Sequence, residues 1–446
     1  MTRREFGTSF GVAALAAGAP QPPPAGKADF TLRIGPVGVE LAPRKVTKTI
    51  GYNGTSPGPL LRMKEGQPVT IDVFNDTGDP EIVHWHGFHI PSNVDGSMEE
   101  GTPMIAPHGS FRYAFTPAPF GTRWYHTHTG AGRNLKRGLY TGQFGFCVID
   151  PKSGDPGNYD HEVFLALREW EPWMSTGGDD EGSMDAAYKY FSINDRALGS
   201  GEPVRVKQGD RALLRILNAS ATITRRIAFA GHRFHVISMD GNPVANPNDV
   251  EALELGPAER IDALVEMSNP GKWTLGATAD HDRTGGMGIV FEYAGQSGEA
   301  RWITPATTPW DYKLFGKAAA ERPDAEPIPL VFRKIFAGHR WVDKWSINGK
   351  SWPKTDPIRV KAGQRYRLIF DNPSDEAHPL HLHRHTFELT RIDGAPTGGI
   401  FKDVVVVQPK TKVEAEFVAD SPGLSLFHCH QQMHMDYGFM AMMEYV

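Results

Sequence analysis

Near its C-terminal end the chain reads Phe427-His428-Cys429-His430-Gln431-Gln432-Met433-His434, a cysteine locked between two histidines with a third histidine four residues on. Thiolate and neutral imidazole are ligands for copper, zinc and iron, and packing gives no reason to crowd them so closely. Three more His-x-His pairs lie upstream: His84/His86 in HWHG, His126/His128 in YHTH and His381/His383 in HPLHLH. Residues i and i+2 of a strand face the same side, so each pair aims both rings into one site. Cys429 alternates with His428 and His430, which turns its sulfur to the opposite face. The four pairs supply eight imidazoles, more than one ion can use; three ions at two or three ligands each account for them. His378, Cys429 and His434 remain. A His₂Cys set with a weak or absent axial ligand is the pattern of a blue copper electron-transfer centre, whereas a structural zinc wants a fourth protein ligand and none is obvious.

Strands must hold these pairs, and the chain repeats itself in a way that supplies them. PLLRMKEGQPVTIDVFND from Pro59, PVRVKQGDRALLRILNAS from Pro203 and PIRVKAGQRYRLIFDNPS from Pro357 share one pattern. Each has a strand, a Lys-x-Gly turn (Gly66, Gly209, Gly363), a second alternating strand and an Asn (Asn75, Asn218, Asn372). Period-2 alternation across a tight turn marks β-hairpins. A later Gly before an apolar strand recurs at Gly121, Gly271 and Gly423, and the turns YNGTSPG and SINGKSW fit the same all-β reading. Nine residues beyond each Asn stand His84, Ile227 and His381; five beyond each late Gly stand His126, Gly276 and His428. The first and third repeats therefore carry His-x-His at two equivalent places and the second at neither. One site at the interface of the outer repeats is expected. The domain reading is three tandem Greek-key β-sandwiches, 27–151, 152–300 (without metal ligands) and 325–446. Residues 1–26 form an export signal and Pro-rich linker, 301–324 a further linker, and the Pro/Ala-rich GKAAAERPDAEPIP the last connection.

Composition agrees. The 48 Gly and 35 Pro suit turn-rich β architecture better than helices. A formal net charge of −5 and a pI near 6.4 speak against nucleic-acid binding. Only Cys147 and Cys429 occur, which excludes a disulfide framework. Cys147, within GQFGFCVIDP, reads as a buried, inert strand residue. Arg3-Arg4 followed by Phe6 and a weakly apolar Gly/Ala stretch predicts a twin-arginine export signal, hence a periplasmic or secreted protein. No other stretch approaches the ~18 apolar residues of a membrane span. A monomer is expected.

Together HWHG, YHTH, HPLHLH and HCHQQMH resemble the four copper-binding motifs of the three-domain multicopper oxidases, the family of laccases, bilirubin oxidases and cuprous oxidases. The resemblance covers essentially the whole mature chain and implies cupredoxin-like domains and four copper ions. It implies that His84 and His381 hold the type 2 copper, and that His86, His126, His128, His383, His428 and His430 hold the type 3 pair. His378, Cys429 and His434 match the type 1 ligands. The mechanism it implies takes one electron at a time at type 1 copper and passes it through Cys429 to the adjacent His428 and His430. Four electrons then reduce O₂ to water at the trinuclear cluster.

Asp95, in PSNVDG, stands where family members such as the bacterial cuprous oxidases have a functional Asp for proton delivery, and that role is expected here over a merely turn-forming Asp-Gly. Two positions depart from the family. The Glu that many bacterial members carry after the last type 1 histidine is Met435, with Asp436 next. The axial position, ten residues past Cys429, holds Phe439 rather than Met, which implies a three-coordinate copper of raised potential, with Met440 the nearest alternative ligand. His89, His108, His161, His232, His235, His281, His339 and His385 read as structural or surface. For the electron donor, laccase-like oxidation of phenols and aromatic amines is expected. A cuprous or ferrous oxidase acting in copper tolerance is the alternative, suggested by Met433, Met435, Met440, Met442 and Met443 and by the acidic MSTGGDDEGSMDAAY. Such methionines more often fill a core, and such a loop is more often merely solvated. A scaffold that had lost its metals would lack ligands, and all are present; three repeats argue against a two-domain-type nitrite reductase.

Overall fold

The computed structural model describes residues 26–446 apart from 155–156, 177–182, 307, 319–321, 323 and 339–340. The export signal expected over 1–26 lies, but for Gly26, outside the described residues, as do His339 and the acidic centre of the 174–188 loop.

Almost all regular structure is strand, arranged as three successive pairs of sheets. The first pair sets Lys45–Tyr52, Phe30–Ala42, Val69–Asn75 and Ser110–Phe115 against Leu61–Lys64, Phe144–Asp150, Gly121–Thr127 and Val83–His86. The second pair has six and five strands, the third seven and five. Each pair contains the same two parallel joins. Phe30–Ile34 runs beside Ile71–Asn75 and Leu61–Lys64 beside Cys147–Asp150. The counterparts are 161–167 with 212–218 and 204–206 with 291–293, then 326–331 with 366–371 and 358–360 with 443–445. Parallel neighbours cannot be joined by a hairpin, so each pair is a Greek-key sandwich rather than a meander.

The repeated residues have repeated jobs. Gly66, Gly209 and Gly363 all take positive φ (78°, 89° and 81°), a conformation open to Gly without a Cβ clash. Asn75, Asn218 and Asn372 are fully buried and staple the strand end to two loops. Asn372 Oδ1 accepts from the Ser374 N–H while its Nδ2 donates to the carbonyls of Glu376, Val407 and Gln408. Asn75 and Asn218 make the equivalent bonds. These are buried polar groups whose every partner is provided, and so they recur.

Cys147 is buried in the strand Phe144–Asp150 within a core built on Leu32, Ile71, Trp85 and Tyr125. One difference from expectation concerns GKAAAERPDAEPIP: its last residues already belong to the strand Glu326–Ile335. Pro327 and Pro329 fit there because over 326–331 that strand pairs on one side only, so their missing N–H groups fall on the edge.

Candidate metal centres

In the first sandwich Val83–His86 pairs antiparallel with Gly121–Thr127, so His84 faces His126 across the ladder and His128 follows just beyond. In the third, His378–Leu382 pairs with Ser425–Cys429, setting His381 opposite His428 and Leu380 opposite Cys429. Strand alternation then sorts the donors. His381 and His428 share one face; His378, in phase with Leu380, shares the other with Cys429. One sheet therefore offers two sites on its two faces.

On the first face all eight His-x-His imidazoles converge between the outer sandwiches. Their nitrogens form the groups His84/His86/His381, His86/His126/His430 and His128/His383/His428, each with ligand atoms within 4.8 Å of one another. Rings from different sandwiches stack, His84 on His383 at 4.0 Å and His86 on His381 at 3.8 Å between centroids. Burial, reinforced by the neighbouring rings, holds His86, His126, His128, His381, His428 and His430 well below the usual imidazole pKa, so they are neutral donors. Outer contacts fix which nitrogen faces inward. His84 Nδ1–H donates to the Asp95 carbonyl (2.8 Å) and His381 Nδ1–H to the Asp403 carbonyl (2.8 Å). Nδ1–H of His126 and of His428 donate to the carbonyls of Thr127 and Cys429. His86 is reversed: its Nε2–H donates to Asp403 Oδ1 (3.0 Å), leaving Nδ1 inward.

On the opposite face Cys429 Sγ lies 3.5 Å from His434 Nδ1 and 3.9 Å from His378 Nδ1. His378 Nε2 is paired with Ser374 Oγ (3.1 Å), and His434 Nε2–H donates to Glu376 (3.1 Å). The Trp345 ring closes over His378 and His434 at 4.4 and 4.6 Å, and Phe439 stands 5.0 Å from the His378 ring. Met440 turns away from the thiol and packs with Leu426 and Met435.

Three family profiles described as multicopper oxidase match residues 35–154, 175–295 and 324–446. The chain belongs to the multicopper oxidase family. It is 34% identical over 439 residues to the multicopper oxidase MmcO of Mycobacterium tuberculosis, covering 90% of this chain and 84% of that one. It is 23% identical to a copper resistance protein A homolog of Pseudomonas syringae pv. tomato, covering 92% and 91% of the two chains. The crystal structure of a multi-copper oxidase from Pseudomonas thermotolerans superposes with a TM-score of 0.73 at 25% identity, covering 94% of this chain and all of that one. The three sandwiches are thus cupredoxin-like, and the cofactor of this multicopper oxidase is copper.

The residues fit that metal. Nε2 of His84, His128 and His381 and both ring nitrogens of His430 are buried without a hydrogen-bond partner, and each ring so offers one lone pair that a borderline-soft cation would satisfy. Asp95 is fully buried against the cluster, its Oδ2 accepting from His383 Nδ1–H at 2.9 Å. Although burial opposes it, the facing His84 and His383 hold the Asp95 carboxyl well below the usual range. Two acids escaped the sequence reading. Glu100 Oε2 also meets His383 Nδ1 (3.1 Å), and burial together with the Asp95 charge pushes its carboxyl well up. Asp403 holds His86 and His381 from the third sandwich. Glu100 lies five residues beyond Asp95 in an acidic stretch, a weak signal; Asp403 lies in FKDVVVV and carried none. Asp436 is half-buried, caps the N–H groups of Ala131 and Gly132 and is pushed up to about 6 by burial.

Proposed function

We propose that this multicopper oxidase is laccase-like: it takes single electrons from phenols or aromatic amines at His378, Cys429 and His434 and passes four to O₂ at the eight-histidine site. Bound copper, four ions as one type 1, one type 2 and a type 3 pair, would supply the one-electron steps and the O₂-reducing centre. The carrying observation is the strand Ser425–Cys429 with His430 after it, whose adjacent residues serve both faces. The path from one face to the other is covalent, and the His428 Nδ1–H to Cys429 carbonyl bond (2.9 Å) adds a second link. Asp95 and Glu100 keep a proton beside His383, since one carboxyl is held ionised and the other protonated.

Aromatic donors are favoured by the mouth of the thiolate site. Glu376, on His434, can take the phenolic proton as the electron leaves; its ion pair with Lys334 (3.5 Å) weakens it as a trap for metal cations. Trp341 and Phe336, in the segment leading to Trp345, are 60% and 45% exposed and offer flat apolar surface. The second reading, a cuprous or ferrous oxidase, draws on the copper resistance relative and on Met435, Met440 and Met442 beside Trp352. Turnover of a phenolic dye compared with Cu(I) and Fe(II) on the copper-loaded enzyme separates the two; a phenol rate far below the metal rates sinks the first. Metal analysis should return about four coppers per chain with an intense blue band. The domain limits 27–151, 152–300 and 325–446, twin-arginine export to the periplasm or beyond, and a monomeric state belong to the same reading.

A further inference from the structure

Asp95 and Asp403 are used alike. The carbonyl of each accepts from the first histidine of its own sandwich's His-x-His strand, His84 or His381, at 2.8 Å. The carboxylate of each accepts from the second histidine of the other sandwich, His383 at 2.9 Å or His86 at 3.0 Å. The two halves of the cluster are thus related by an approximate twofold arrangement. Their surroundings are opposite in charge. Asp95 stands beside another acid, Glu100, whereas Asp403 is gripped by arginine.

That arginine comes from the sandwich without metal ligands. Arg260 Nη1 donates to Asp403 Oδ1 (2.7 Å) and Nη2 to Oδ2 (2.6 Å), a two-pronged bond with every partner buried. Asp240, from the same sandwich, accepts from the N–H groups of Asp403 (3.3 Å) and Val404 (3.1 Å), fixing the carbonyl that holds His381. Space is reserved for this clamp. A Cβ at Gly87, directly after the HWH run, would meet Asp403 Oδ2 at 2.6 Å and Arg260 Nη2 at 2.8 Å.

Resting on the copper reading above, we infer that Arg260 is a positioning residue of the trinuclear site: through Asp403 it fixes His86 with Nδ1 inward and His381 with Nε2 inward. The middle sandwich then contributes to copper binding without supplying a ligand. By accepting from His86 Nε2–H the Asp403 carboxylate fixes that ring's orientation; without Arg260 it would lose both short prongs and keep only the longer bond from Arg123 Nη1 (3.4 Å), too little to hold it square to the ring.

The test is Arg260→Met, with Arg260→Lys as the conservative variant, on copper-loaded protein. In Arg260→Met the blue band and its paramagnetic signal should keep wild-type intensity, reporting a folded third sandwich. Copper per chain should fall below the wild-type count, or copper of the spin-coupled pair should become visible by paramagnetic resonance; O₂ turnover should drop about 10–100-fold, the range for lost outer-shell partners. Arg260→Lys should recover part of each. If Arg260→Met does not fold, the near-isosteric Asp403→Asn is read the same way. A folded variant with the full copper count, an intact coupled pair and normal turnover overturns the inference. A wild-type protein without copper would instead overturn the copper reading itself.

Discussion

At Cys429 neighbouring residues of one strand serve the two proposed copper sites, because the thiol lies on one face while the flanking imidazoles lie on the other. Cys429→Ser should abolish the blue band and O₂ reduction by organic donors yet leave the type 2 paramagnetic signal, since no eight-histidine donor is touched. Phe439 sets the other property of that site. The Phe439 ring stands against His378 without offering a donor atom, so bound copper should sit at high potential; Phe439→Met should lower it in redox titration, and an unchanged potential would exclude Phe439 as the axial group. Away from the metals, burial pushes Glu81 up to about 7, with Thr127 Oγ1 donating to it at 3.4 Å. The folded chain thus binds this proton more tightly than the unfolded chain, so stability is lost as pH rises from about 4.5 towards 7. Glu81→Gln should flatten that slope and raise stability at pH 8 by at most about 3 kcal/mol, read from urea midpoints at pH 5 and pH 8.

Among the elements, the buried asparagines are the clearest test of why three sandwiches share one plan. Asn218→Ala would strand the carbonyls of Ile223 and Leu255 and the Ser220 N–H, costing about 2–4 kcal/mol, while the blue band survives because this sandwich carries no ligand. Asn372→Ala should cost as much and also disturb the blue site, since the loop it staples brings Ser374 to His378. That plan was legible in the chain because hairpin alternation, Lys-x-Gly and Asn are local patterns, and the histidines fall at equal offsets from them. The division of the donors between two faces was legible for the same reason, alternation along single strands. Glu100, Asp403 and Arg260 were not legible. Glu100 reaches His383 and Asp403 reaches His86 across sandwich interfaces, 283 and 317 positions away, Arg260 acts through Asp403, and nothing local announces such contacts. Asp95 was readable by its place in a motif, but the proton it shares with Glu100 depends on burial that only packing creates.

Over the whole molecule, the outer sandwiches are bound to each other by more than metal. Arg384 donates to the Ile90 carbonyl of the first and to Leu424, Ser421, Ser425 and Pro422 of the third, leaving none of its donors idle. Copper held, as proposed, by histidines of both sandwiches would add to this grip, by about 4 kcal/mol for each site at a thousandfold excess over Kd. Copper removal by a chelator should therefore lower the melting temperature, and reloading should restore it; an unchanged melting temperature would show that docking is independent of the metal.

The division of the eight histidines between distant stretches of chain also has a consequence in time. His128 and His381 are some 250 positions apart, and at about 5–20 residues per second the ribosome needs roughly 12–50 s to pass from one to the other. During that interval the first sandwich can be complete while its four imidazoles have no counterpart. Filling of the proposed shared site would therefore be a late act of maturation, open only once His428 and His430 have been made and the outer sandwiches have met.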